Sequence, residues 1–309
     1  MGIGMGAAQE AGERKAAQSG GDFVPMIFWK DDRAGEKKQY KKIVRFLTDD
    51  VVTCTLYEFV KGGPDGKGRD FIAPASLIDD EGKPLFEEVA GEKDFFLENN
   101  IQLPNYKGEL KPAKDEAKER TLGLAVLREE YTAKEDRGGR EVAVVKTRDL
   151  VEKREYETKD GEKKTAEGPV IGIVKQGYKN FWSTLVGYYQ RYGTICDRDY
   201  EITRKGNGTD TTYSIIRLEK DDAPDLADVV DGPSALAHYQ AQYENLRTLE
   251  DWIVPKAKYA AAEEWLKGGG GSKSDAPAQQ SASDDDGPVR GASGSVADDL
   301  RKELEDYKA

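Results

Sequence analysis

Short runs of β-branched and aromatic residues, separated by turn-forming residues, recur along most of this chain. Such runs predict β-strands, and they cover residues 43–47, 51–60, 121–127, 141–146, 169–174, 200–204 and 211–216. Tight turns are predicted between them at Gly138-Gly139, Asp160-Gly161 and Gly206-Asn207-Gly208. Apolar residues spaced three and four apart instead predict a helix over 177–193, capped by Gly193. This order predicts an α+β fold built on a small β-barrel with inserted hairpins and a C-terminal helical subdomain.

The distribution of apolar residues divides the chain into four segments. Both ends are rich in small and polar residues and lack the apolar content that offsets the entropy cost of ordering. Residues 234–267 are predicted to be helical from a Ser234 N-cap, with a break or a kink at Pro255. We therefore expect a disordered arm over 1–21, a core over 22–220 with an irregular insertion over 70–118, a helical subdomain over 221–267 and a disordered acidic tail over 268–309.

Cysteine and histidine are too rare for a metal site or a disulfide framework. The 309 residues include only Cys54, Cys196 and His238 of these two types, whereas a structural zinc site needs four ligands. No apolar run has the length of a membrane-spanning helix, and the N-terminus lacks the apolar region of a signal peptide. These features predict a cytoplasmic protein with buried thiols and with no cofactor, metal or membrane partner.

The segment from Trp182 to Tyr213 combines aromatic rings with fixed positive charges. Several tyrosines alternate there with Arg191, Arg204 and Lys205, in a chain whose net charge is -12. Rings that stack on bases and cations that pair with phosphates are what a groove for single-stranded nucleic acid requires. Because a cation is not buried without a partner, we expect these three basic residues to mark an exposed edge.

A second basic segment runs from Lys30 to Arg45. It carries seven basic and three acidic residues, and Phe28, Trp29 and Tyr40 are interleaved with them. Neutralising phosphates with such residues releases counterions and supplies affinity for nucleic acid. The alternative is a solvated strand edge, where lysines discourage aggregation.

Two segments resemble the signature of tailed-phage single-stranded DNA-binding proteins. One is Lys42-Ile-Val-Arg-Phe-Leu-Thr48, and the other is Tyr192-Gly-Thr-Ile-Cys-Asp197 followed by residues 200–213. The resemblance spans roughly residues 25–220. It implies an OB-type barrel that coats single strands during DNA replication, recombination and repair.

One feature of that family is missing from this chain. Many relatives carry a zinc ribbon between the two signatures, but residues 70–118 contain no cysteine and no histidine. The resemblance therefore implies no metal here. It implies instead a loop packed by apolar side chains, which are Phe71, Leu77, Phe86, Phe95, Phe96 and Leu97.

Nothing in the sequence favours catalysis. A single histidine excludes most histidine-based triads, so we expect no enzymatic activity. Asp197 and Asp199 are close together in the sequence, and carboxylates can hold the Mg²⁺ ion of a nuclease, so that activity is an open alternative. No third ligand is evident beside them. We expect both to be solvated carboxylates at a strand end.

The C-terminal tail, residues 268–309, ends in a short amphipathic pattern. The tail holds five basic and nine acidic residues. A helix over 295–308 would place on one face the residues Val296, Leu300, Leu304 and Tyr307. Such an element on a flexible tether is typical of partner docking, here of replication or recombination proteins, and a tail for solubility alone is the alternative.

These observations favour a non-enzymatic protein that binds single-stranded DNA without sequence preference. Bases would stack on four rings, those of Trp29, Trp182, Tyr188 and Tyr192. Phosphates would pair with basic residues, namely Lys30, Lys42, Arg45, Lys175, Arg191, Arg204 and Lys205. Self-association along DNA is a further expectation. The alternatives are a structural or assembly protein of a phage particle and an RNA-binding protein that uses the same surface.

Overall fold

A computed structural model describes residues 26–27, 39–60, 68–105, 108–157, 163–206, 211–242 and 246–268. The strands are β1 (Gln39–Phe46), β2 (Val52–Val60), β3 (Arg69–Ile72), β4 (Gln102–Pro104), β5 (Leu110–Pro112), β6 (Lys118–Asp136), β7 (Glu141–Asp149), β8 (Val151–Glu157), β9 (Lys163–Pro169), β10 (Ile171–Gln176), β11 (Tyr200–Lys205) and β12 (Thr212–Arg217). The helices are α1 (Phe95–Glu98), α2 (Ala113–Glu116), α3 (Ser183–Tyr192), α4 (Gly232–Gln242), α5 (Leu249–Ala257) and α6 (Tyr259–Gly268). The arm over 1–21 and the tail beyond residue 268 lie outside the described residues.

The long strand β6 organises the main sheet. Residues 118–122 of β6 pair with β2, and residues 125–128 pair with β1. Its other edge pairs with β10 over residues 121–126 and with β7 over residues 128–136. Residues 121–126 are buried, whereas beyond residue 128 half-buried and exposed side chains alternate. The strand is therefore covered on both faces in its first half and extends as a hairpin arm in its second.

The remaining pairings are also antiparallel. β1 pairs with β11, β11 with β12, and β2 with β3, which gives the order β12-β11-β1-β6-β2-β3. The pairings of β6 with β7, β8 with β9 and β11 with β12 confirm the three predicted hairpins. Positive φ angles at Gly138 and Gly139 show why glycine occupies the turn between β6 and β7. Two separate hairpins, β4-β5 and β8-β9, complete the strands. The pairings among the described residues do not close the sheet into a barrel.

Helices follow the sheets, as expected for the coarse α+β class. The predicted helix before β11 is confirmed: a π-helical turn over Tyr178–Trp182 leads into α3, which ends at Gly193 with a φ of 81°. Pro255 does not break the helix, because it lies inside α5 and the chain leaves helical geometry only at Lys258. Ser234 is not the N-cap of the preceding helix either, since α4 begins at Gly232.

Apolar side chains form two clusters. The larger one lies between the main sheet and the helices, and it includes Phe46, Leu124, Ile173, Trp182 and Tyr239. The smaller one joins the insertion to α6 and contains Tyr57, Phe71, Phe95, Phe96 and Trp265. Of the six side chains expected to pack the insertion, four are buried; Phe86 is half-buried, and Leu97 is exposed because it lies on the outer side of α1.

No helix in the described part of the chain is long and apolar enough to cross a membrane.

Candidate nucleic-acid interface

Arg45, one of the residues expected to bind phosphate, lies in the core. Its side chain is fully buried, and Nε donates to Oδ1 of Asp199 at 2.7 Å. Oδ2 of Asp199 accepts from Nε of Arg128 at 3.0 Å and from the Thr147 hydroxyl at 2.6 Å. Arg45 therefore holds β1 to the loop before β11, and we correct its assignment because a phosphate cannot reach a buried guanidinium.

The network around Asp199 continues outward through Arg128. The Arg128 guanidinium binds the carboxylate of Asp149, and it donates to the two carboxylate oxygens of Asp225 at 2.9 and 2.6 Å. The Tyr239 hydroxyl donates to Asp149 at 2.6 Å. These bonds join β6, β7 and α4, so the expectation that Asp199 is solvated is wrong.

Lys175 is also a structural residue. Its ammonium lies 2.9 Å from Glu58 and 2.8 Å from Asp70, and the side chain is 9% exposed. Burial alone would lower the pKa of this ammonium, but the two carboxylates outweigh burial and raise it. The charge is thus neutralised within the fold, and the phosphate contact expected of Lys175 is corrected for this reason.

Trp182 and Arg204 complete the group of buried candidates. The indole of Trp182 packs against Phe46 and donates to the Thr121 carbonyl at 2.9 Å. The Arg204 guanidinium is 1% exposed and donates to the Thr211 hydroxyl at 3.0 Å. The expectation that Arg204 marks an exposed edge is therefore wrong, and neither side chain is accessible to a base or a phosphate.

The other expected site residues divide into accessible and undescribed ones. Arg191, Tyr192 and Lys205 are exposed, and Lys42 is half-buried. Tyr188 is half-buried and held in place, because its hydroxyl donates to the Ile215 carbonyl at 3.1 Å. The candidates outside the described residues are Trp29, Lys30, Val296, Leu300, Leu304 and Tyr307.

The accessible aromatic residues lie where α3 ends beside the end of β12. Tyr189 and Tyr192 are 47% and 43% exposed. The guanidinium carbon of Arg217 lies 3.7 Å from the centroid of the Tyr192 ring, and that of Arg191 lies 5.3 Å from it. Cations over a ring orient it and add positive charge beside it. We name the group made of Tyr189, Arg191, Tyr192, Arg198 and Arg217 the tyrosine–arginine surface.

One carboxylate orders the arginines of this surface. Asp197 accepts from Nη2 of Arg217 at 2.8 and 3.0 Å and from Nη2 of Arg198 at 3.1 Å. Within the described residues Arg191 makes no ion pair. Two arginines therefore share one carboxylate and the third lies beside the Tyr192 ring, which leaves a local excess of positive charge. Asp197 is ion-paired rather than solvated as expected.

Sequence reasoning missed Tyr189 and Arg217. Tyr189 is adjacent to a predicted stacking residue, but helical periodicity alone does not show which of two neighbouring tyrosines faces solvent. Arg217 ends the run that forms β12, and only the packing of α3 against that strand places it over Tyr192. A basic residue at the end of the last strand was the one available signal.

Histidine, cysteine and acidic side chains could bind a metal ion, and a cysteine could also act as a reactive thiol. No three histidine, cysteine or acidic side chains among them converge in a way that could hold a metal ion. Both cysteines are buried, and burial raises the pKa of the Cys54 thiol to about 12. A thiol with such a pKa is unreactive at neutral pH.

Glu58 lies at the centre of a second buried charge cluster, on β2. It accepts two bonds of 3.1 Å from Arg120 and contacts Lys175 at 2.9 Å. Burial would raise the pKa of this carboxyl, but Lys175 and Arg120 outweigh burial and lower it to about 2.

This low pKa predicts an acid-dependent contribution to stability. A carboxyl whose pKa falls from 4.5 in the unfolded chain to about 2 contributes roughly 3 kcal/mol above pH 5, and the contribution is lost as the pH falls toward 2. We expect Glu58→Gln to be less stable than the wild type at pH 7 by about this amount. Urea unfolding between pH 7 and pH 3 should show the difference shrinking, and a difference independent of pH would contradict the prediction.

Comparison with known proteins finds no protein family, no curated protein and no solved structure that matches this chain. The resemblance to phage single-stranded DNA-binding proteins therefore stays a prediction from two short segments.

Proposed function

We propose that this protein binds single-stranded DNA without sequence preference through the tyrosine–arginine surface. The observation that carries the proposal is the pair of exposed rings, Tyr189 and Tyr192, with the guanidinium groups of Arg191 and Arg217 beside the Tyr192 ring, in a chain of net charge -12. An exposed tyrosine ring presents a flat face on which a base of any type can stack.

Base stacking and phosphate pairing would be divided between the two residue types of the surface. Each base stacked on an aromatic ring contributes about 1–3 kcal/mol. Arg191 is available to bind a phosphate directly. Arg198 and Arg217 stay bound to Asp197, so they would attract the strand through their positive charge without contacting a phosphate. Lys205, exposed at the end of β11, lies on the chain segment that leads to β12 and would extend the phosphate contacts.

The proposal extends to the architecture of the binding platform, to the biological role and to the tail. We propose that the sheet serves as an OB-type platform, in which β6 is the strand shared by two sets of partners. Coating of single strands in phage DNA replication and recombination, in the cytoplasm of the host, is the role that the sequence resemblance supports. The acidic tail would recruit partner proteins through Val296, Leu300, Leu304 and Tyr307.

Replacing both exposed tyrosines should weaken binding strongly. For Tyr189→Ala with Tyr192→Ala we expect a loss of at least about 2 kcal/mol, roughly thirtyfold in Kd, because two stacking positions disappear. The measurement is fluorescence anisotropy of a labelled oligo-dT over a salt series. Arg191→Ala should reduce the slope of log K against log salt by about 0.7, the value for one phosphate contact on a single strand.

A matched control variant and competing nucleic acids test whether the loss of binding is specific to this surface and to single-stranded DNA. Tyr131 is half-buried on the β6–β7 hairpin with the Arg148 guanidinium 5.3 Å from its ring, so Tyr131→Ala removes a similar pair elsewhere and should leave affinity unchanged. Duplex DNA should compete weakly, and RNA of the same length tests the RNA alternative. If oligo-dT does not bind at low salt, even after removal of residues 269–309, the proposal fails and self-association without nucleic acid would favour an assembly protein.

A further inference from the structure

Two cations near the junction of β3 and α5 lie on tryptophan faces rather than against carboxylates. The guanidinium carbon of Arg69 is 4.0 Å from the centroid of the Trp265 ring. The ammonium of Lys256 is 4.3 Å from the centroid of the Trp252 ring. Within the described residues neither cation forms an ion pair. Their charges are therefore held beside aromatic rings and are not neutralised by the fold.

The charged groups that act on Lys256 are mainly positive. They are Arg69 and Asp70 on β3, Lys175 on β10, and Arg247 before α5. Asp70 already binds Lys175 at 2.8 Å. Asp70 and Lys175 therefore compensate each other, which leaves the charges of Arg69 and Lys256 at the junction on their tryptophan faces.

Lys256 shows the cost of this arrangement. Burial is the main cause that lowers the pKa of its ammonium to about 8; Asp70 opposes the change, while Arg69, Lys175 and Arg247 add to it. Burying a cation without an anion is unfavourable unless a partner arrives from outside the fold. An external anion would stabilise Lys256 and Arg69 together.

We propose that the β3–α5 junction binds a phosphate group, with Arg69 and Lys256 as the contacting residues. Arg69 is exposed, and its planar guanidinium suits the oxygens of a phosphate. Lys256 supplies a point charge, which the Trp252 ring holds in position. The phosphate belongs either to a small phosphate compound or to a nucleic-acid backbone.

This site is separate from the tyrosine–arginine surface in its residues and elements. It is built from β3, α5 and α6, whereas that surface is built from α3, β12 and the loop before β11. The inference does not rest on the proposed function, and the two can fail independently.

The direct test is isothermal titration calorimetry of the full chain with pyrophosphate. We expect saturable binding to the wild type and at least a tenfold loss of affinity in Lys256→Met and in Arg69→Gln. Methionine keeps most of the length of the lysine side chain, so packing on Trp252 is retained while the charge is lost. Lys83→Met is the control, because Lys83 is exposed and pairs only locally with Glu81; its affinity should equal that of the wild type.

The pH dependence provides a signature that a general charge effect would not produce. Sulfate, which keeps its charge from pH 6 to pH 10, is the probe for this series. Below pH 8 Lys256 is already protonated, so affinity should be constant; above it, binding requires proton uptake and affinity should fall by up to tenfold per pH unit. Lys256→Met should abolish both the fall and the proton uptake measured in buffers of different ionisation enthalpy.

The outcomes identify the source of the phosphate. Pyrophosphate binding that both variants weaken supports a site for a small phosphate compound. If pyrophosphate does not bind but both variants weaken oligo-dT binding at least threefold, the nucleic-acid backbone is the source. The proposal is overturned if pyrophosphate and oligo-dT affinities are the same in the wild type and in both variants, with folding verified by circular dichroism.

Discussion

Asp199→Asn is expected to destabilise the protein by about 3–5 kcal/mol, the largest effect of a single isosteric change in this chain. Asp199 is 1% exposed and accepts from Arg45 and Arg128, two arginines whose side chains are fully buried. Removing one partner of a buried ion pair leaves an uncompensated charge in the core. The asparagine amide would also point an N–H donor at an arginine N–H, that of Arg45 if the amide nitrogen replaces Oδ1 and that of Arg128 if it replaces Oδ2.

The measurement is the free energy of unfolding from urea titration, followed by tryptophan fluorescence. Glu129→Gln is a suitable control, because Glu129 pairs with Arg148 at 2.8 Å on an exposed strand and both side chains are more than a third exposed. Such surface pairs contribute little, so we expect the control to change stability by less than about 0.5 kcal/mol. A loss below about 1 kcal/mol in Asp199→Asn would show that the network is not a major source of stability.

Gly123→Ala is expected to cost about 2–3 kcal/mol, although alanine is normally the better residue inside a regular element. A Cβ at this position would lie 2.4 Å from Cη2 of Trp182. The indole cannot move away easily, since it is buried, packs against Phe46 and Phe181, and donates to the Thr121 carbonyl. The added methyl group would therefore disturb the pairing of β6 with β10 or the packing of α3.

Gly187→Ala is the matched control for this prediction. Gly187 lies within α3, and no atom would be within 4 Å of an added Cβ. The same substitution should therefore stabilise the protein by about 0.5–1 kcal/mol through helix propensity. Thermal unfolding of the two variants should show opposite shifts of Tm. Two shifts of the same sign would mean that contact with Trp182 does not control the result.

The strands were the most predictable part of the fold. The runs that became β1, β2, β7, β11 and β12 are rich in residues that favour extended backbone, and local turns join several of them. The length of β6 was not predictable in the same way. Its second half, after Arg128, is charged and alternating, and it is held extended by pairing with β7 rather than by apolar packing.

The candidate site was predicted at the level of a segment rather than of individual residues. The span from Trp182 to Tyr213 does contain part of the tyrosine–arginine surface. Within that span, Arg204 looks in sequence like a solvated arginine, yet it is buried and bonded to Thr211. Residue type gives the chemistry of a side chain, but exposure depends on which elements pack over it.

The sequence by itself determined the positions of the main strand runs, of the hairpin turns between them and of the helix before β11, because backbone preferences and hydrophobic periodicity act over a few residues. It also determined that aromatic and basic side chains suited to binding nucleic acid occur close together between Trp182 and Tyr213. Only the tertiary structure decided that Arg45 and Lys175 pair with carboxylates distant along the chain, Asp199 in one case and Glu58 in the other. The physical reason is that the cost of burying a charge depends on the partner that the fold brings to it, and that partner is not encoded locally.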